Sequence, residues 1–200
     1  MSWDFILTAF LVCLSPGIGV VFTLSATIGG GFSAGFWAAI GCTVATVFHL
    51  IVAIAGLAAV LHTSALLFQA IKIAGVAYLL WMAWAVLRES GSLSLHRAAP
   101  MPPARLVLQG ILLNLLNPKL PLFFIAFLPQ FLPPEVPTRQ LVGLGLTFTL
   151  ITFATFILYA GMAATGRQHL LASSSAMAWM RRAFAASFAL LGLKLATEKL

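Results

Sequence analysis

Six stretches of this chain are each long and apolar enough to be buried in hydrocarbon: Trp3 to Ala26, Phe32 to Leu61, Ala65 to Leu87, Arg105 to Phe131, Leu141 to Thr165 and Met180 to Thr197. A helix needs about 20 such residues to cross a bilayer. Lipid offers no hydrogen-bonding partner, so each backbone N–H and C=O must be paired inside the segment or against protein. Hydrophobic residues make up 62% of the chain and charged residues 8%, whereas a soluble domain is about 25% charged. The runs predict an all-α integral membrane protein of six transmembrane helices, folded as one transmembrane domain over residues 1–200.

The first run does not have the pattern of a secretory signal. Asp4 stands where a basic segment belongs, and the run ends in Ala26-Thr27-Ile28-Gly29, so it reads as a retained helix. The longest polar connection, Arg88 to Arg105, divides the chain into halves at about 1–88 and 105–200, with a loop at about 89–104.

The net charge of +7 would suit nucleic acid if it were gathered on one exposed face. The positive residues sit at span ends instead, and no nucleic-acid partner is expected. If the spans alternate, Arg88, Arg97, Arg105, Arg167, Arg181 and Arg182 fall on one side. Arg139 and Lys199 fall on the other, with Lys72 and Lys194 near helix ends. The positive-inside rule then puts the loop between the halves in the cytoplasm and both termini outside.

Several chemistries lack the residues they need. Cys13 and Cys42 each lie within an apolar run and read as small core hydrophobes. Cys, His and carboxylate do not cluster at metal-ligand spacing. Asp4, Glu89, Glu135 and Glu198 all lie near span ends or in loops, which leaves no carboxylate pair for acid–base catalysis in the membrane. Gly31-Phe32-Ser33-Ala34-Gly35 spells a nucleophile elbow, but no strand precedes it. Gly29, Gly30, Gly31 and Gly35 read instead as a tight turn between spans. The chain is not expected to be an enzyme, and no cofactor is implied.

The prolines carry more information. Leu14-Ser15-Pro16-Gly17-Ile18-Gly19 lies mid-span in the first run, and Asn114-Leu115-Leu116-Asn117-Pro118-Lys119 mid-span in the fourth. Proline lacks the N–H that a helix needs and clashes with the preceding turn, so both helices should break. Three spans per half, each half opening with a broken helix, is the pattern of an inverted repeat. Broken helices survive at membrane depth only against protein or a wet cavity.

A half-helix starting after each proline would offer bare N–H groups and a positive dipole end to a carboxylate. Candidate substrate contacts are therefore Ser15, Pro16, Gly17, Gly19, Asn114, Asn117, Pro118 and Lys119. Asn114 and Asn117 offer amide oxygens to an ammonium or N–H groups to a carboxylate. Lys119 adds a full charge; the alternative for it is a side chain reaching to headgroups. For Asn117 the alternative is a helix cap.

His49 is the other ionisable group in mid-span. Gly41, Ala45, His49, Ala53 and Gly56 share one helical stripe, and small residues at that spacing mark close helix packing, so His49 should face the bundle interior. Imidazole titrates near neutrality, which suits proton coupling. The competing expectation is a buried neutral ring bonded to a backbone carbonyl. Thr147, Thr149, Thr152 and Thr155 are expected to bond back to their own helix. Trp3, Trp81, Trp84 and Trp179 fit an interface belt.

Leu14-Ser15-Pro16-Gly17-Ile18-Gly19, then Lys72-Ile73-Ala74-Gly75-Val76-Ala77-Tyr78-Leu79-Leu80-Trp81, Asn114-Leu115-Leu116-Asn117-Pro118-Lys119 and Leu128-Pro129-Gln130-Phe131 together resemble the LysE/RhtB amino-acid exporter family in order and spacing. The resemblance implies a bacterial inner-membrane exporter of an amino acid or close derivative, driven by protons; in that membrane the termini that the charge rule puts outside are expected to be periplasmic. The partners it implies are the amino acid, protons and membrane lipid, with a homodimer left open. Pro16-Gly17-Ile18-Gly19 stands where the family more often has Pro-Gly-Pro-Asn, so contact there falls to backbone or Ser15. The fifth span lacks the acidic residue of many relatives, which turns attention to His49 for proton coupling. A cation or metal-ion exporter on the same scaffold, and an intramembrane enzyme, are the alternatives.

Overall fold

The computed structural model describes residues 3–15, 17–63, 65–88, 95–96, 98–117, 119–131, 138–166 and 173–197. Pro16 and Pro118 lie outside the described residues, as do the side chain of Lys119 and residues 89–94 and 97 of the loop at 89–104. Among the described residues every regular element is helical. In chain order these are α1 (Trp3–Leu14), α2 (Ile18–Thr63), α3 (Ala65–Arg88), α4 (Pro103–Leu115), α5 (Lys119–Phe127), a 3-10 turn (Leu128–Phe131), α6 (Thr138–Ala164) and α7 (Ser174–Thr197).

The helix breaks fall where the prolines predict. α1 stops at Leu14 and α2 begins at Ile18; α4 stops at Leu115 and α5 begins at Lys119. A helix lacking the proline N–H cannot satisfy the carbonyl four residues earlier. Both breaks solve this in the same way. The Ser15 N–H donates to the Val12 carbonyl at 3.0 Å, and the Asn117 N–H to the Asn114 carbonyl at 3.2 Å, each reaching back three residues instead of four. The α4–α5 pair bends by 61°.

α2 is two helices joined at one residue. Gly31 has φ 76° and ψ −175°, a backbone region essentially reserved for glycine. The arms 18–30 and 32–63 fold back on each other there. The Cys42 thiol lies 3.9 Å from the Gly19 carbonyl, and Gly35 lies against Thr27. The expected four-glycine turn is therefore narrower than the sequence suggests, because Gly29, Gly30 and Gly35 are all helical. Gly29 serves close approach instead: Ala98 of the inter-half segment lies against it and donates its N–H to the Ser25 carbonyl at 3.2 Å.

Among the described residues three stretches are long and apolar enough to cross a membrane: Ile18–Leu57, Leu66–Arg88 and Arg139–Ala164, with the bent α4–α5 pair as a fourth. α1, at 12 residues, is apolar but too short to cross alone, since a span needs about 20. Individual helices thus supply three to four candidate spans where the sequence suggests six.

Packing places α2 against α4 and α6, α3 against α5 and α7, and α1 against α6 and α7. The α2–α4 crossing is close because it is lined by glycine. Gly41 meets the Val107 backbone, and a methyl on Gly110 would stand 3.0 Å from the Ala38 carbonyl oxygen. Such small-residue contacts hold helices together where lipid removes the hydrophobic drive. One apolar cluster is built on Phe5, Phe123, Phe124, Phe127 and Phe148. A second gathers Leu24, Cys42, Leu106 and Tyr159.

The exposed side chains include Trp3, Trp81, Trp84 and Trp179, in keeping with an interface belt. The Arg88 guanidinium lies 4.2 Å over the Trp84 ring.

Candidate functional site

Both helix breaks line one cavity of about 230 Å³. Ser15, Gly17 and Gly19 reach it from the first break, and Asn114 and Asn117 from the second. For scale, an engineered cavity of about 150 Å³ admits benzene. The breaks also touch each other. A methyl built on Gly19 would stand 2.9 Å from Nδ2 of Asn114 and 3.0 Å from Cζ of Phe156. Gly19 has no room for a side chain because the buried Asn114 amide occupies it.

At each break a side chain from elsewhere in the fold donates to a backbone carbonyl. The Asn114 carbonyl would bond the N–H of residue 118 in an unbroken helix, and a proline has none. His49 Nε2 lies 3.2 Å from that oxygen. A carbonyl only accepts, so Nε2 carries a hydrogen. At the other break, Leu14 closes α1, and its carbonyl accepts the Tyr159 hydroxyl at 2.6 Å. His49 comes from α2 and Tyr159 from α6, so the long helix of each half caps the break in the other.

His49 therefore faces the bundle interior and is 6% exposed. It sits behind Asn114 and is not among the described lining residues of the cavity. Gly41, Ala45 and Ala53 of its stripe are buried, whereas Gly56 is exposed. The threonines of α6 behave as expected: Thr147, Thr149, Thr152 and Thr155 each donate to the carbonyl four residues back.

Cys13 packs against the first apolar cluster, as expected of a small core hydrophobe, and has a second place as well. It lines the cavity, with its thiol 3.3 Å from the Thr152 hydroxyl. Cys42 is buried.

Several residues that hold the breaks, the helices or the cavity wall in place escape the sequence reading. Tyr159 is one: a tyrosine inside a span must place its hydroxyl on a partner, and that is the signal that points to it. Gln130 is another. Its Nε2 donates to the Lys72 carbonyl at 3.0 Å and to the Ala126 carbonyl at 2.9 Å, while Gly75 abuts Ala126. Two of the four quoted motifs thus meet in a clamp between α3 and the end of α5, away from the cavity. Thr46 and Phe156 also line the cavity and carried no signal of their own, and Thr152, expected only to bond back to its helix, lines it too.

The LysE type translocator family model matches residues 10–199. This chain belongs to that family. This translocator is 31% identical to a homoserine/homoserine lactone efflux protein of Salmonella typhimurium, over 98% of its own length and 95% of the relative's. It is 30% identical to a leucine efflux protein of Enterobacter sp., over 80% and 78%. It is 32% identical to an uncharacterized membrane protein of Vibrio cholerae, over 98% and 96%. No solved structure matches the translocator.

Proposed function

We propose that this translocator is a secondary transporter that exports an amino acid or a close derivative across the bacterial inner membrane. The observation that carries the reading is the convergence of both helix breaks on one cavity. Relatives named for leucine efflux and for homoserine efflux support it, and an amino acid suits a cavity of this volume.

In this reading α1 with residues 18–30 makes the first span, residues 32–63 the second and α3 the third. The α4–α5 pair, α6 and α7 make the other half in inverted topology, with both termini periplasmic. The matching i to i+3 bonds at the two breaks support a repeat.

The substrate carboxylate is assigned to the half-helix starts at Gly17 and Lys119, where N–H groups without in-helix partners meet a positive dipole end. The ammonium is assigned to Asn114, Asn117 or exposed carbonyls. Proton coupling is assigned to His49, whose imidazole can titrate while Nε2–H stays on the Asn114 carbonyl.

The test is efflux of labelled amino acid from loaded cells. Lys119→Ala should abolish efflux at normal membrane abundance, and unchanged efflux refutes its role. His49→Gln keeps a donor for the Asn114 carbonyl but cannot titrate. It should flatten the pH dependence of transport, and an intact pH profile removes the coupling assignment.

A further inference from the structure

The cavity wall changes character from one end to the other. On the α4–α5 side its residues come three apart, from Asn114 and Asn117 to Leu120 and Phe123. On α6 they come four apart, at Phe156, Thr152 and Phe148. A helix rises about 1.5 Å per residue, so Phe156 and Phe148 stand about 12 Å apart along α6. The two runs are pinned at both ends. Phe156 meets the Gly19–Asn114 contact, while the Phe148 and Phe123 rings lie 6.0 Å apart. One end of the cavity is therefore polar backbone and amide, and the other is aromatic.

The aromatic end is tightly packed. Phe148 stands edge-on to Phe124 at 5.1 Å, and Phe123 stacks on Phe127 at 4.9 Å. Phe123, Phe148 and Phe184 are 4%, 4% and 3% exposed, and Met82 and Val86 of α3 complete this part of the lining. None of these side chains offers a strong hydrogen bond. The polar atom between the two ends is already engaged: the Thr152 hydroxyl donates to the Phe148 carbonyl at 2.8 Å and faces Cys13. No described lining residue is charged.

We infer that this end is the side-chain pocket, and that the substrate is an amino acid with a large, uncharged, apolar side chain. The inference rests on the exporter reading. The α-amino and carboxylate groups lie at the broken helices, and the side chain runs along α6 toward Phe148. Phe123, Phe148 and Phe184 determine specificity, and Met82 sets the depth. A hydroxyl or ammonium placed there finds no partner, which disfavours it.

The experiment uses the full-length protein in proteoliposomes loaded with one labelled amino acid at a time, comparing initial efflux of leucine, phenylalanine, homoserine and lysine under an imposed proton gradient. Leucine should leave about tenfold to a hundredfold faster than homoserine or lysine, the range over which an apolar pocket discriminates. Met82→Ala deepens the pocket and should raise the phenylalanine-to-leucine ratio by about threefold or more, since an altered methylene count shifts preference on that scale. Homoserine or lysine leaving as fast as leucine overturns the side-chain assignment and leaves the exporter reading standing, as does an unchanged ratio in Met82→Ala. Release of no amino acid overturns the exporter reading and this inference with it.

Discussion

A backbone carbonyl buried without a donor costs about 1–3 kcal/mol; Tyr159 supplies one to the Leu14 carbonyl, and His49 adds a second donor to the Asn114 carbonyl beside the Asn117 N–H. Tyr159→Phe removes only the hydroxyl, so the Leu14 carbonyl loses its capping donor. The variant should lose about 1–3 kcal/mol of stability, read as a lower Tm of the purified protein, with slower efflux. An unchanged Tm and rate would show the bond to be dispensable. At His49, Gln should hold Tm near wild type because it still donates, whereas His49→Ala should lower it by less than Tyr159→Phe does, since the Asn114 carbonyl keeps the Asn117 N–H. At Gly19 even a methyl group is too large, since it would meet Asn114 and Phe156 at 2.9 and 3.0 Å. Residue by residue, the sequence marks the prolines, asparagines and glycines of the breaks, because their backbone chemistry is local. It marks the caps poorly. Which side chain reaches the Leu14 carbonyl depends on how α6 lies against α1, and that is set by packing far along the chain.

The elements inherit their ends from the same backbone chemistry. The α2 hairpin turns on Gly31 alone, where φ is 76°. Gly31→Ala should destabilise the protein by about 1–3 kcal/mol, the usual cost of forcing a side chain into such a region. Reduced yield of folded protein in the membrane, with a lower Tm, is the expected measurement, and wild-type behaviour would contradict the strained turn. Four glycines near this turn are visible in the sequence, but only the backbone angles single out the one that turns. The others are held in helix, and Gly29 makes room for Ala98. The α4–α5 break was legible for the opposite reason: a proline four residues after Asn114 dictates it without reference to the rest of the fold. The clamp of Gln130 on Lys72 was not legible as such, although both residues stood in quoted motifs, because a motif does not say what its residues touch.

For the whole molecule, the solvent and helical class follow from composition and run length, and the family follows from the match over residues 10–199. The cavity does not follow from sequence, since Val12, Met82, Phe148 and Phe184 come from four different helices. Their meeting makes a chamber that is polar at the breaks and aromatic at the far end, suited to a zwitterion with an apolar tail. The central claim is that both breaks bind one substrate. Equilibrium binding of labelled leucine to the purified protein tests it directly, with one variant in each break, Ser15→Ala and Asn117→Ala. Each variant should weaken binding about fivefold or more, as loss of one hydrogen bond worth about 1 kcal/mol does, while Tm stays close to wild type. Leucine binding that one of these variants leaves at wild-type affinity would contradict a shared site.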